Sequence, residues 1–216
     1  MSLTLVDWRR QVHALYAQVR STADPREAHA FWVAGRDRLL ATHPDTPLLP
    51  EDRPGFRGVP MAPYDPAWRF EVTVDSDVEP AHLEVPTATD GVVPFDRIGV
   101  VHLAGVGDLD VWWLGSYGGG VFLPVRDALA GTETYGGGRY LLDTVKGADL
   151  GGDARSGELV VDLNFAYNPS CAYDPAWVCP LAPAGNRLPG PVRAGELYGQ
   201  PLASAASEEN TNPSET

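Results

Sequence analysis

The side chains able to do chemistry concentrate between residues 126 and 196. Arg126, Arg139, Arg187 and Arg193 supply guanidinium groups within a strongly acidic chain. An arginine holds a carboxylate, phosphate or carbonyl group through paired N–H donors, so this set points to a small anionic or polar molecule. Arg139 directly follows Gly136-Gly137-Gly138, where the missing side chains would let a ligand approach the backbone amides, and it is the expected anchor. Glu133 and Asp162 are the candidate acid–base groups, or the partners that fix an arginine. Tyr135, Asn164, Tyr167, Asn168 and Asn186 add donors and acceptors to the same candidate binding site.

The same residues carry a second reading. The stretch 168–196 has no regular strand pattern, so its backbone polar groups need side-chain partners. Arginine, asparagine and tyrosine could form a closed hydrogen-bond network that pins this loop to the rest of the chain. A ligand-binding or enzymatic domain and a structural or protein-interaction module therefore compete. An open cavity lined by these side chains favours the first, and a filled, paired network the second.

Other motifs are weaker. Gly118-Gly119-Gly120 and Gly136-Gly137-Gly138 are not followed by Lys-Ser/Thr and open no helical pattern, so they read as turns rather than phosphate-cradling loops. Cys171 and Cys179 fit no common zinc spacing; the first expectation is inert buried thiols, then a local disulfide, then a nucleophile. The five histidines are scattered, and neither a metal site nor a cofactor is implied. Tyr64-Asp65-Pro66-Ala67-Trp68 recurs as Tyr173-Asp174-Pro175-Ala176-Trp177, which reads as two similar Asp-Pro turns rather than a duplication.

The elements that must position these residues follow from periodicity. Leu5, Trp8, Val12, Leu15 and Val19 recur at helical spacing. Asp24-Pro25-Arg26-Glu27 opens a second helix, with an inward stripe of Ala28, Phe31, Trp32, Gly35 and Leu39, ending before Pro44. Seven prolines between Pro44 and Pro66 exclude central strands, and the interleaved Leu48, Leu49, Phe56, Val59 and Met61 favour a segment wrapped across the body. Beyond Trp68 the period becomes two. About seven strands follow, at Phe70–Val74, Leu83–Val85, Arg97–Leu103, Leu109–Leu114, Val121–Val125, Arg139–Asp143 and Leu159–Phe165. On the last, Asp162 and Asn164 share one face, read first as solvated and otherwise as a pocket wall. No helices intervene, so the fold expected is mainly β: an antiparallel sandwich or partly closed barrel behind two N-terminal α-helices. One domain is expected over 1–202, comprising a helical segment (1–43), the Pro-rich connection (44–68) and the β core with its C-terminal loop (69–202). Residues 203–216 are expected to be a disordered acidic tail.

Composition bounds the partners. The chain has 216 residues, is 44% hydrophobic and carries a formal charge of −13, which argues against nucleic acid and anionic lipid. Fifteen arginines against a single lysine, Lys146, look like coding bias. No apolar run reaches membrane-spanning length and no signal peptide opens the chain, so a cytoplasmic location is expected.

Longer strings resemble a known family. Arg36 to Leu48 (R-D-R-L-L-A-T-H-P-D-T-P-L), Phe56 to Arg69 (F-R-G-V-P-M-A-P-Y-D-P-A-W-R), Arg126 to Leu141 (R-D-A-L-A-G-T-E-T-Y-G-G-G-R-Y-L), Asp162 to Tyr173 (D-L-N-F-A-Y-N-P-S-C-A-Y) and Cys179 to Glu196 (C-P-L-A-P-A-G-N-R-L-P-G-P-V-R-A-G-E) are similar to the bacterial and archaeal family called domain of unknown function 1684. The resemblance implies no activity. Against that pattern, Phe165 stands where an arginine is expected and Gly185 where a glutamate is expected.

Overall fold

The computed structural model describes residues 3–87, 91–115 and 117–198, so the expected acidic tail, 203–216, lies outside the described residues. Two helices, α1 (Leu3–Ser21) and α2 (Pro25–Thr42), form an antiparallel hairpin. Asp24 caps α2 by accepting from the amides of Arg26 and Glu27, at 2.8 and 3.2 Å. The inward face of α2 is Ala28, His29, Trp32, Gly35, Leu39 and Leu40. Phe31, expected inside, is exposed; the buried ring at that level is His29, whose Nε2 meets the carbonyl of Asn164 at 3.0 Å.

The Pro-rich segment wraps as its apolar residues require. Leu48, Phe56 and Val59 bury themselves with Leu40 in a small cluster of their own. At its end Ala62 N–H donates to Gly195 O and Leu197 N–H to Pro60 O, so this segment and the C-terminal stretch lie side by side.

Among the described residues eight strands follow, against about seven expected: β1 (Arg69–Thr73), β2 (His82–Pro86), β3 (Val92–Leu103), β4 (Gly107–Leu114), β5 (Gly120–Val125), β6 (Arg139–Asp143), β7 (Gly152–Asp153) and β8 (Glu158–Asp162). They make two antiparallel sheets, ordered β1-β8-β7 and β2-β3-β4-β5-β6, consistent with a sandwich and not closed into a barrel. One core lies between them, with Val101, Leu109, Val111, Leu123, Val125 and Leu141 from the larger sheet, Val161 from the smaller, and Leu15, Val19 and Trp32 from the helices. The sheets touch at a bulge in β3. There Gly99 lets the chain beyond β1 approach, and a β-carbon would stand 2.5 Å from the carbonyl oxygen of Asp75. Asp75 then exchanges both backbone hydrogen bonds with Val100, each 2.9 Å long. The glycine runs are turns, with Gly118, Gly119 and Gly138 at positive φ. Among the described residues no helix is long and apolar enough to cross a membrane.

The strand expected over Leu159–Phe165 ends at Asp162, and Leu163–Phe165 turns into a 3-10 helix. The carboxylate of Asp162 is the reason: its Oδ1 accepts from the Asn164 amide at 3.0 Å and caps the turn. Asp162 and Asn164 are thus brought together by a turn rather than by the pleat of a strand, and neither lies on a solvated face.

Candidate functional site

The residues singled out in the sequence fall into separate groups. Arg139 is buried at 1% exposure, and its guanidinium donates to the carbonyls of Ala194, Glu196 (3.1 Å) and Val192 (3.2 Å). Asp127 faces it at 3.5 Å. Asn186 accepts from the Trp112 indole at 2.8 Å and donates to the carbonyls of Asp110 (2.8 Å) and Pro124 (3.0 Å). Asn164 brackets the backbone of Asp65 from both sides, through Oδ1 at 3.0 Å and Nδ2 at 2.8 Å. Its Nδ2 also reaches Asp162 at 2.7 Å, while Arg69 stands 3.7 Å from the other Asp162 oxygen. Burial raises the Asp162 carboxyl above the usual aspartate range, against the pull of Asn164 and Arg69. Glu133 and Arg193 pair at 3.0 Å on the exposed surface. Arg126 is half-buried and its backbone pairs with the stretch around Asn186 and Leu188.

Tyr167 and Asn168 lie elsewhere, on a cavity of about 130 Å³ between the helical hairpin and β6. Trp8, Val12, Leu15 and Tyr16 from α1 and Trp32, Arg36 and Leu39 from α2 line one side; Tyr140 and Asp143 of β6, with Lys146 and Ala148 after it, line the other. The stretch Tyr167–Tyr173 closes the rim, held to the edge of β6 by paired backbone bonds between Tyr140 and Tyr167, at 2.8 and 3.0 Å.

The polar end of this cavity is organised around Glu196, which is buried at 1% exposure. Its Oε2 accepts from Arg36 Nη2 (2.9 Å), Arg36 Nε (3.3 Å) and the Asn168 amide (3.0 Å). Its Oε1 accepts from Asn168 Nδ2 (3.1 Å) and from the Tyr173 hydroxyl. Arg36 Nη2 also reaches the Asn168 carbonyl and the Tyr173 hydroxyl, and the guanidinium lies over the Tyr167 ring at 4.9 Å. Burial pulls the Arg36 guanidinium down, but Tyr173, Glu196 and Tyr16 outweigh it and hold it above the ordinary arginine range. Its Nη1 has no hydrogen-bond partner among the described residues. Across the cavity Lys146 pairs with Asp143 at 3.1 Å. Burial raises the Tyr16 and Tyr167 hydroxyls, keeping both as neutral donors. Arg36 and Glu196 are 160 residues apart, and neither helical periodicity nor strand alternation joins them. The available signal was a charged residue, Arg36, beside Gly35 and ahead of Leu39 in the apolar stripe of α2.

The cysteines also depart from expectation. Cys171 and Cys179 are free and only partly buried, so they are not core thiols. The Tyr135 hydroxyl donates to the Cys171 carbonyl at 3.2 Å and to its Sγ at 3.5 Å. Interaction with the Cys179 thiol brings the Cys171 thiol down to about 6, while the Cys171 side chain and burial raise Cys179.

Phe165 packs in the core against Trp32 and His29, at ring-centroid distances of 5.1 and 5.2 Å. Gly185 lies against Asp110; a β-carbon there would stand 1.9 Å from a carboxylate oxygen, so no side chain fits while Asp110 holds its place. Among the described residues no group of three or more His, Cys, Asp or Glu side chains could hold a metal ion.

Comparison with known proteins gives a family and a fold. The model of a family described as a protein of unknown function (DUF1684) matches residues 54–197. A solution NMR structure of an uncharacterized protein from Haloarcula marismortui is similar at 31% identity and a TM-score of 0.54, over 76% of this chain and 89% of that one. No curated protein matches the chain.

Proposed function

For this chain, which belongs to the DUF1684 family of proteins of unknown function, we propose that the cavity between the helical hairpin and β6 binds a small molecule bearing a carboxylate or carbonyl group. The observation that carries this reading is Arg36 Nη1: a charged donor with no hydrogen-bond partner among the described residues, on a guanidinium that Glu196, Tyr173 and the Asn168 carbonyl hold in place. Two N–H groups of a fixed guanidinium suit a carboxylate or carbonyl oxygen. Much of the remaining wall is apolar or aromatic, with Val12, Leu15, Trp32 and Leu39 against the non-polar part of the ligand. A cavity of about 130 Å³ has room for roughly one six-membered ring and its substituent. Lys146 is paired with Asp143 as Arg36 is with Glu196, so the orientation rests on Arg36 Nη1, toward which the ligand's anionic group would turn.

Benzoate and benzamide serve as ring-sized probes. Saturation-transfer NMR should show benzoate binding to the unmodified chain, benzamide binding more weakly, and neither binding to Val12→Trp, whose indole would fill the cavity. Absence of binding by both probes, or equal binding to Val12→Trp, would overturn the proposal.

A structural role attaches to a different set of residues. The hydrogen bonds of Arg139, Asn164 and Asn186 to buried backbone support a network that fixes the C-terminal loop, the second reading of the sequence. The two roles divide between residues instead of excluding one another.

A further inference from the structure

The loop after the Tyr167–Asn168 rim brings two cysteines together. Cys171 sits in a 3-10 turn, Ser170–Ala172. The chain then reverses at Asp174, whose Oδ1 accepts from the Ala176 amide at 2.8 Å and whose carbonyl accepts from Trp177 N–H at 3.1 Å. Cys179 thereby returns to the neighbourhood of Cys171, and the two side chains interact. Both ends of the loop are held from outside it: Tyr135 grips Cys171 through carbonyl and sulfur, and the Tyr140 hydroxyl donates to the Pro180 carbonyl at 2.6 Å. Both cysteines are partly exposed residues, which suits a small reagent rather than a macromolecular one. Cys179 also lines the cavity described above.

We propose that Cys171 and Cys179 are a thiol–disulfide exchange site, with Cys171 the attacking sulfur and Cys179 the resolving one, acting on low-molecular-weight organic disulfides. The Tyr135 hydroxyl lies 3.5 Å from the Cys171 sulfur and stabilises a thiolate there when its proton turns from the Cys171 carbonyl to the sulfur. That thiolate attacks one sulfur of the organic disulfide. The external S–S bond breaks, a mixed disulfide forms on Cys171, and one thiolate leaves. Cys179 then loses its proton to solvent or to the departing thiolate, and its sulfur attacks the Cys171 sulfur. The mixed bond breaks, the Cys171–Cys179 bond forms, and a second thiolate leaves. The protein's two thiols are oxidised and the organic disulfide is reduced to two thiols. A fixed partner thiol makes the second step intramolecular, so the mixed disulfide does not accumulate.

A chromogenic aryl disulfide tests this. The unmodified chain should release two aryl thiolates, carry no aryl adduct, and lose two mass units in intact-mass analysis. Cys179→Ser should release one aryl thiolate and retain the aryl group on Cys171. Cys171→Ser should react at least about ten-fold more slowly, because the remaining thiol lacks the Tyr135 donor. A stable aryl adduct on the unmodified chain, or faster reaction at Cys179 than at Cys171, would overturn the assignment. The mass of the unmodified chain decides by itself if a variant fails to fold.

Discussion

Arg139 and Asp127 face each other at 3.5 Å in the interior, and both hold the same residue: Arg139 Nη2 donates to the carbonyl of Val192 while Asp127 Oδ2 accepts from its amide at 2.7 Å. Thr134 completes Asp127 by donating to its other oxygen at 2.6 Å. The pair is therefore a clamp on the C-terminal stretch at Val192, which lies outside the two sheets. Desolvation pulls the Arg139 guanidinium below the ordinary arginine range, against Asp127 and Glu196.

Removing that clamp should be costly. Arg139→Met leaves Asp127 buried beside an uncharged side chain and three carbonyls without their donor, so a loss of about 3–5 kcal/mol is expected. Urea unfolding of both chains measures it. A loss below about 1 kcal/mol would show that the C-terminal segment is held by other means.

Asn186 makes three hydrogen bonds at 0% exposure, joining β4, β5 and the turn Ala184–Asn186. Asn186→Ala strands the Trp112 indole donor and two carbonyls and opens a small void. The expected cost is about 2–4 kcal/mol. Trp112 fluorescence during denaturation reports both the stability and the altered surroundings of its ring.

The His29 ring titrates below its ordinary range because burial disfavours the cation; the Asn164 carbonyl opposes this and Arg26 adds to it. The folded state therefore prefers the neutral ring. Its contribution to stability is complete above the unfolded value of about 6.5 and is lost as pH falls through the lower folded value. Between pH 7 and 5, stability should fall more steeply in the unmodified chain than in His29→Gln. Parallel slopes across that range would remove His29 from the acid response.

Gly185 and Asp110 should be coupled. Gly185→Ala alone drives a methyl group into the Asp110 carboxylate and should cost about 1–3 kcal/mol by overpacking. Asp110→Gly in the same chain clears the space, so the double variant should be more stable than the sum of its parts. A strictly additive double-mutant cycle would mean that the Asp110–Arg97 pair, at 3.2 Å, swings aside freely.

Local chemistry was legible in the sequence. Asp24-Pro25 fixes the start of α2, and Asp65-Pro66 and Asp174-Pro175 fix turns, because a carboxylate two residues before an amide needs no distant partner. The strand periods and the proline-rich wrap follow equally from near neighbours. Tertiary structure decided what each polar side chain meets. Asp162 ends its strand by capping its own turn, but only burial against Asn164 and Asp65 makes that turn the better outcome. Arg139 next to three glycines suggests a ligand anchor, yet its donors meet carbonyls more than 50 residues away. The cavity depends on α2 bringing Arg36 to Glu196, and the sequence carries no periodicity linking positions 160 residues apart. Such pairs arise when the Pro-rich segment lays the C-terminal stretch beside the helices, a packing outcome set by the whole core.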